Sequence, residues 1–413
     1  MISEEITLEG HIIDWPVLTK VLDGINSAGG GFRIIELHIG RTKAERSHAT
    51  IEVSAPNRTE LAALLERLKN EGALVRETPD AEVQVADMDG AFPEAFYSST
   101  NIQTYIRHKG DWCEVQDQEM DCGIVHDPRN NTFRCVPIAN IRKGDRIVCG
   151  HRGIKTASVA KEKEGGGFEF MSSEISTEKP KNAIIRNCAQ LMHRVRQSGQ
   201  KLLIVGGPAI VHTGASEHLE ALIRRGYCHV LFAGNALATH DMEQALYGTS
   251  LGVYLANAAP AHAGHEHHLR AINTIRRCGN IRAAVDKGVL KSGIMHACIR
   301  HDVEYVLAGS IRDDGPLPDV ITDALQAQDR MRELIKGVGF VLMVATTLHS
   351  VATGNILPAW IPCVCVDISP SVLTKLADRG SWQTIGLVTD VEPFFRELIH
   401  ELDVVERTAA AAS

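Results

Sequence analysis

The chain has 413 residues, enough for two or three domains that each bury a core, and its 44% apolar and 23% charged content excludes a mainly disordered polypeptide. With 43 basic against 51 acidic residues, a net charge of -8 and no Lys/Arg block, it lacks the footprint of a nucleic-acid binder. No apolar run approaches the roughly 20 residues that cross a bilayer, and the acidic start MISEEITLEGHIIDW does not read as a secretory signal, so no membrane partner and a cytoplasmic location are expected.

Residues 1–95 carry the pattern strand, helix, strand, strand, helix, strand. ITLEGHII alternates, the stretch from Asp14 to Asn26 has helical periodicity behind an Asp cap, and FRIIELHIG and HATIEVSA are β-rich. The second helix is expected to start at Asn57 or Arg58, to carry Leu61, Leu64, Leu65 and Leu68 on one face, and to stop at Gly72. This order predicts a ferredoxin-like α+β domain. From 96 to 179 the chain turns into short β runs, DWCEVQ, CGIVHD, TFRCVPI and DRIVCG, with DPRNNT as a hairpin turn: a small β-rich middle domain. Gly165, Gly166 and Gly167 form a hinge before a helix opened by Pro180.

From 180 to 413, helical segments alternate with the apolar runs KLLIVGG, HVLFAGN, EYVLAGS, GFVLMVAT, IPCVCVDI and TIGLVTDV. Continuous apolar strands between helices predict an α/β domain with a doubly wound, Rossmann-like parallel sheet covered on both faces. In such sheets ligands gather at the C-terminal strand ends. Here those ends are Gly206-Gly207-Pro208, Gly234-Asn235-Ala236, Gly309 to Gly315, Thr346 to His349, Asp367, and Asp390-Val391. Small residues let backbone N–H groups approach a pyrophosphate, and carboxylates suit ribose hydroxyls. The same residues also serve simply to turn a chain from strand to helix, and no GxGxxG fingerprint selects between the two readings.

The runs VGGPAIVHTGASEH, FAGNALATHDMEQALYGTSLG, GSIRDDGPLPDV and FMSSEISTEKP, with the N-terminal domain, resemble the LOR/SDH bifunctional enzyme conserved-region family. Its archaeal members are ornithine cyclodeaminases, and its cyanobacterial members carry an added arginine dihydrolase domain. The resemblance covers almost the whole chain and implies bound NAD. It places cofactor contacts at Asn235, Ala236, Asp314, Thr346, Thr347, Leu348, His349, Asp367, Asp390 and Val391. It further implies L-ornithine as substrate, with L-proline and ammonia as products. No dihydrolase-like segment precedes residue 1, so action on arginine is not expected.

The implied reaction passes the α-hydride of ornithine to NAD, lets the δ-amine attack the resulting imine, expels ammonia and returns the hydride. Such a site must bind a carboxylate and move protons. Arg312, Lys179 and Lys181 suit the first task, although each also suits a surface ion pair. Asp313, beside Asp314, suits ammonium binding or base work, or else an Asp-rich turn. His240 and Asp241 suit a proton shuttle, while Thr239, Asp241 and Glu243 equally suit a helix start capped by Thr239.

The group His262, His265, His267 and His268 lacks HExxH spacing, and no metal is expected. Ten cysteines form no CxxC pair and read as reduced thiols, with Cys363 and Cys365 on one face of a strand. A symmetric homo-oligomer is expected for an enzyme of this size. Two other functions fit the same pattern: an NAD-dependent dehydrogenase of lysine or saccharopine type, and a sensor that binds NAD or an amino acid without turnover.

Overall fold

The computed structural model describes residues 2–10, 17–39, 47–75, 79–156, 181–254, 259, 261, 264–313, 315–378 and 384–412. The chain divides into two units, residues 1–166 and 167–413.

The first unit opens with β1 (Ile2–Gly10), α1 (Val17–Ser27), β2 (Gly31–His38), β3 (Ser47–Ala55), α2 (Arg58–Asn70) and β4 (Leu74–Val75). The strands form an antiparallel sheet in the order β2-β3-β1-β4, the ferredoxin-like arrangement expected. Alternation in HATIEVSA explains the placing of β3: Ala49, Ile51, Val53 and Ala55 are buried, and their neighbours are half-exposed. The Asn57 side chain caps α2 by accepting from Glu60 N, and Leu61, Leu64, Leu65 and Leu68 bury the face read from their spacing. Asp14, the expected cap of the first helix, lies outside the described residues.

A second sheet follows, built from β5 (Glu82–Val85), β6 (Thr104–His108), β7 (Asp111–Gln116), β8 (Gly123–Asp127), β9 (Thr132–Val136), β10 (Arg146–Cys149) and β11 (Ile154–Thr156). Its order is β11-β6-β7-β9-β8-β10-β5, antiparallel except for the β7–β9 pair. DPRNNT does turn the β8–β9 hairpin, with Asn131 at φ 53. Glu82–Val85, expected from the sequence within the first domain, pairs instead with β10, because the run is too short and polar to announce which sheet it joins.

The second unit contains α3 (Lys181–Gln197), β12 (Lys201–Gly206), α4 (Ala209–His212), α5 (Ser216–Arg224), β13 (Val230–Gly234), α6 (Asn235–Tyr247) and the small hairpin β14 (Thr249–Ser250) and β15 (Val253–Tyr254). It continues with α7 (His267–Cys278), α8 (Ile281–Asp286), α9 (Ile294–Arg300), β16 (Glu304–Ala308), β17 (Val320–Ile321) and α10 (Ala324–Ile335). It closes with β18 (Val338–Val344), α11 (Thr347–Ile356), β19 (Cys363–Asp367), α12 (Pro370–Asp378), β20 (Thr384–Val388) and α13 (Val391–Ala412). All six apolar runs are strands of one parallel sheet, ordered β17-β16-β13-β12-β18-β19-β20.

The continuous hydrophobicity of these strands has a direct cause. In β12, Leu202 and Ile204 enter the core on one face of the sheet while Leu203 and Val205 enter the core on the other; Phe340 and Leu342 against Val341 and Met343 do the same in β18. Each such side chain, removed from water, contributes about 1.5–3 kcal/mol. Apart from edge strand β17, the order corresponds to 3-2-1-4-5-6, which reverses between β12 and β18. Open α/β sheets bind ligands outside the strand ends at that reversal.

Candidate functional site

Three neighbouring strands, β13, β12 and β18, deliver their C-terminal ends to the reversal. β12 ends in Gly206-Gly207, and a Cβ built on Gly207 would lie 1.8 Å from the Ala345 carbonyl oxygen after β18. Only glycine permits this approach, which the Gly207 N–H reinforces by donating to Val344 O at 2.9 Å. On either side, α6 and α11 begin at the ends of β13 and β18 with Gly234 and Thr346 as their caps, and neither start receives a side-chain hydrogen bond. Two helix N-termini thus flank the end of β12 with N–H groups that no capping side chain satisfies.

Against this frame the polar side chains form a connected set. Asn235 Oδ1 accepts from Leu317 N at 3.1 Å and from Thr239 Oγ1 at 3.3 Å. Because the Leu317 N–H can only donate, the Asn235 amide nitrogen must face the other way, where it donates to Asp313 Oδ1 at 3.3 Å. The second Asp313 oxygen accepts from Ser310 N at 2.8 Å, which folds the 310–313 turn. Thr346 Oγ1 lies 3.3 Å from His349 Nδ1, and the His349 ring packs on Gly234, where a Cβ would meet Cε1 at 3.0 Å. Burial holds the His349 imidazole below its ordinary pKa, opposed by the nearby Asp313 carboxylate. A neutral imidazole, a carboxylate and an oriented amide therefore meet at one strand-end cluster, able to accept, donate and relay protons.

The remaining residues implied by resemblance occupy the same edge of the sheet in different ways. Ala236, Thr347, Leu348 and Asp390 are exposed, and Asp390 Oδ1 accepts from Val391 N at 2.6 Å. Asp367 is buried at the end of β19, where Oδ1 accepts from Ser369 N at 2.8 Å. Val391 points into the core, leaving its backbone rather than its side chain for any ligand. Asp314 and Lys179 lie outside the described residues; Arg312 and Lys181 are exposed.

His240 and Asp241 depart from their expected roles. No loop precedes them: α6 springs directly from β13, so both sit inside the helix, and Thr239 bonds back to Asn235 instead of capping a start. The Asp241 carboxylate caps another helix, accepting from Ile294 N at 2.7 Å and Met295 N at 2.9 Å at the start of α9. Both oxygens are thus committed to structure, and Asp241 is corrected from proton carrier to cap. His240 Nδ1 bonds Glu243 Oε2 at 3.0 Å. Glu243 is fully buried and also accepts from Thr249 Oγ1, Leu251 N and Gly252 N, so it fixes the turn of the β14–β15 hairpin. His212, packed edge-on against the His240 ring and 2.6 Å from Ser250 Oγ, joins this network although nothing in the sequence singles it out. A histidine in GGPAIVH carries no spacing signal that would have marked it.

Burial pushes the Asp241 carboxyl up to about 7, against the lowering effect of the two N–H donors from Met295 and Ile294. A raised carboxyl pKa stabilises the fold most below its ordinary value of 3.8, and that contribution is lost as pH climbs through about 7. Urea unfolding of the native chain and of Asp241→Asn between pH 4 and 8 should therefore show the native chain losing stability relative to the variant as pH rises. A pH-independent difference would refute the assignment.

The histidine-rich stretch has local partners: His265 sits 3.8 Å from Glu266, and His267 Nδ1 lies 2.8 Å from Thr249 Oγ1. His262 lies outside the described residues. Cys363 and Cys365 are buried on one face of β19 against Val372, Leu373 and Leu376 of α12, and burial raises both thiols.

Three family descriptions tile the chain: the LOR/SDH bifunctional enzyme conserved region matches residues 3–102, the first region of the arginine dihydrolase ArgZ-like C-terminal part matches 103–185, and its Rossmann fold matches 186–398. The ornithine cyclodeaminase of Methanocaldococcus jannaschii is 51% identical over 98% of both chains. Among solved structures, apo ArgZ, an arginine dihydrolase from the ornithine-ammonia cycle in cyanobacteria, superimposes with a TM-score of 0.83 at 36% identity, and the match covers 98% of this chain but 59% of ArgZ. The ternary complex of AgrE with ornithine and NAD+ matches with a TM-score of 0.53 at 37% identity, over 98% of this chain and 58% of AgrE.

Proposed function

We propose, from the premise that this chain belongs to the family of the archaeal ornithine cyclodeaminases and the C-terminal part of ArgZ, that it converts L-ornithine to L-proline and ammonia with NAD. The observation that carries this reading is identity near one-half, sustained over nearly the full length, with a chain of that name. The site geometry supports it. Uncapped starts of α6 and α11 on either side of Gly207 suit the pyrophosphate of a dinucleotide, and Asp367 and Asp390 suit its ribose hydroxyls.

Bound at these strand ends, NAD would supply a reversible hydride acceptor for the α-carbon of ornithine, regenerated within each turnover so that no NADH would accumulate. The chain's own residues do the rest in this reading. Asn235, Ala236, Asp314, Thr346, Thr347, Leu348, His349, Asp367, Asp390 and Val391 line the dinucleotide. Asp313, held by Asn235 and Ser310 N, faces the substrate ammonium and accepts its proton. His349, kept neutral by burial, passes protons near it, and Lys179 pairs with the substrate carboxylate. His240 acts through the Glu243 network and not on substrate. Among the described residues no helix is long and apolar enough to cross a membrane. The proposal extends to a cytoplasmic homo-oligomer that supplies proline.

The test is incubation of the purified chain with L-ornithine and substoichiometric NAD, following proline, ammonia and NADH absorbance. Many turnovers per NAD without lasting NADH are expected. NADH rising in step with product would replace the proposal with a dehydrogenase, and NAD binding without any product would replace it with a sensor.

A further inference from the structure

β2 is an outer strand of the ferredoxin-like sheet, and among the described residues no strand pairs with its free edge. Its sequence, GFRIIELH, contains neither the lysine nor the proline that edge strands use to discourage pairing. Phe32, Ile34, Ile35, Leu37 and the adjoining Ile39 are all between 38% and 48% exposed. A contiguous strip of large apolar side chains beside unpaired backbone groups is a surface that a folded protein covers.

The register against β3 shows what fits there. Phe32, Ile34 and Leu37 oppose Val53, Ile51 and Ala49 and so share the helix-covered face of the sheet, whereas Arg33 and Glu36 oppose Glu52 and Thr50 on the other face. This grouping exists because the ladder slips at Ile35: the extra residue flips the parity of everything after it. In a regular strand Phe32 and Leu37 would lie on opposite faces.

We infer that β2 pairs antiparallel with β2 of a second copy of this chain, about a two-fold axis between Ile34 and Ile35. That axis sets Phe32 opposite the other copy's Leu37 on one face and Arg33 opposite its Glu36 on the other, apolar on apolar and cation on anion, twice over. Axes displaced by half a residue either way set Phe32 against Glu36, or Arg33 against Leu37, and lose both matches. Arg33 already contacts Glu52 at 2.9 Å and Glu36 contacts His48 at 3.3 Å, so each charge is held on the face where the other copy's opposite charge arrives. A bulge ordinarily spoils an edge for a regular strand, but two bulges related by a two-fold axis match each other. The surface is therefore selective for its own copy.

This inference rests on the homo-oligomer reading and names its surface. Molar mass by light scattering and analytical ultracentrifugation would be measured for the native chain and for Ile34→Lys, Glu36→Arg and Arg33→Glu/Glu36→Arg, with circular dichroism as the folding control. Ile34→Lys should halve the mass. Glu36→Arg, at an exposed position that tolerates the change, should weaken self-association by roughly tenfold, and the double charge swap should restore it. A folded Ile34→Lys or Glu36→Arg chain with unchanged mass overturns the β2 surface while leaving an oligomer in place. A monomeric native chain overturns both this surface and the oligomer.

Discussion

Asp313→Asn is expected to lower kcat/KM for proline formation by about a hundredfold or more, in the range that loss of a positioned proton acceptor costs. The reason lies in the fixed orientation of Asn235. Its Oδ1 is committed to Leu317 N and Thr239 Oγ1, so its amide nitrogen points at Asp313 and requires an acceptor. An asparagine at 313 can still accept from Ser310 N and keep the turn, but its own amide then confronts that of Asn235, donor against donor. Loss of the negative charge also removes the ammonium partner. The dinucleotide, held in the proposal by other strand ends, should bind with an affinity changed by no more than about threefold. Steady-state rates and NAD titration calorimetry on the same preparation separate the two effects. A kcat/KM within about tenfold of the native value would remove Asp313 from the reacting centre.

The α/β architecture was legible because each central strand of the second unit is buried on both faces, leaving the unbroken runs KLLIVG and VGFVLMV as its signature. The ferredoxin-like half was legible from the opposite pattern, strict alternation over one buried face in β3. What escaped has physical reasons as well. Glu82–Val85 is four residues long and half polar, so nothing in it favours one sheet over another. FRIIELH reads as a strand, yet its bulge at Ile35 depends on the partner and is invisible in composition. The start of α6 is obscured because THD imitates a helix start, while the true start at Asn235 follows a strand with only Gly234 between periodicities. The sequence hides the capping role of Asp241 because its partner, the start of α9, is some fifty residues away. Asn235, Asp313, Thr346 and His349 are each legible as strand-end polar residues, but Asn235 meets Asp313 only because β13 lies beside β16, and His349 reaches Gly234 only because β12 alone separates β13 from β18.

The same strand order makes Gly207 the least replaceable small residue of the site. Gly207→Ala should weaken NAD binding by about a hundredfold, equivalent to about 2.7 kcal/mol, and lower the melting temperature by on the order of 10 °C. A methyl group there would lie 1.8 Å from Ala345 O and 2.6 Å from its carbonyl carbon, both backbone atoms that no rotamer change can move. Relief requires the turn after β12 to part from the turn after β18, breaking the 2.9 Å bond from Gly207 N to Val344 O. Ala345 has little room to yield, since it already occupies the left-handed region at φ 51 and donates to Val366 O at 2.9 Å. Moving it would also displace Thr346 and the start of α11, one of the two N-termini proposed to hold the pyrophosphate. Gly206→Ala is the internal comparison: its methyl would meet Leu237 Cδ1 at 2.9 Å and Ile210 Cδ1 at 3.1 Å, the far ends of side chains that can turn aside. That variant should cost about 1 kcal/mol and leave NAD affinity within about threefold of native. Calorimetric NAD titration and thermal unfolding of both variants decide the matter. Equal, small effects at the two positions would mean that the contact between Gly207 and Ala345 does not shape the crevice.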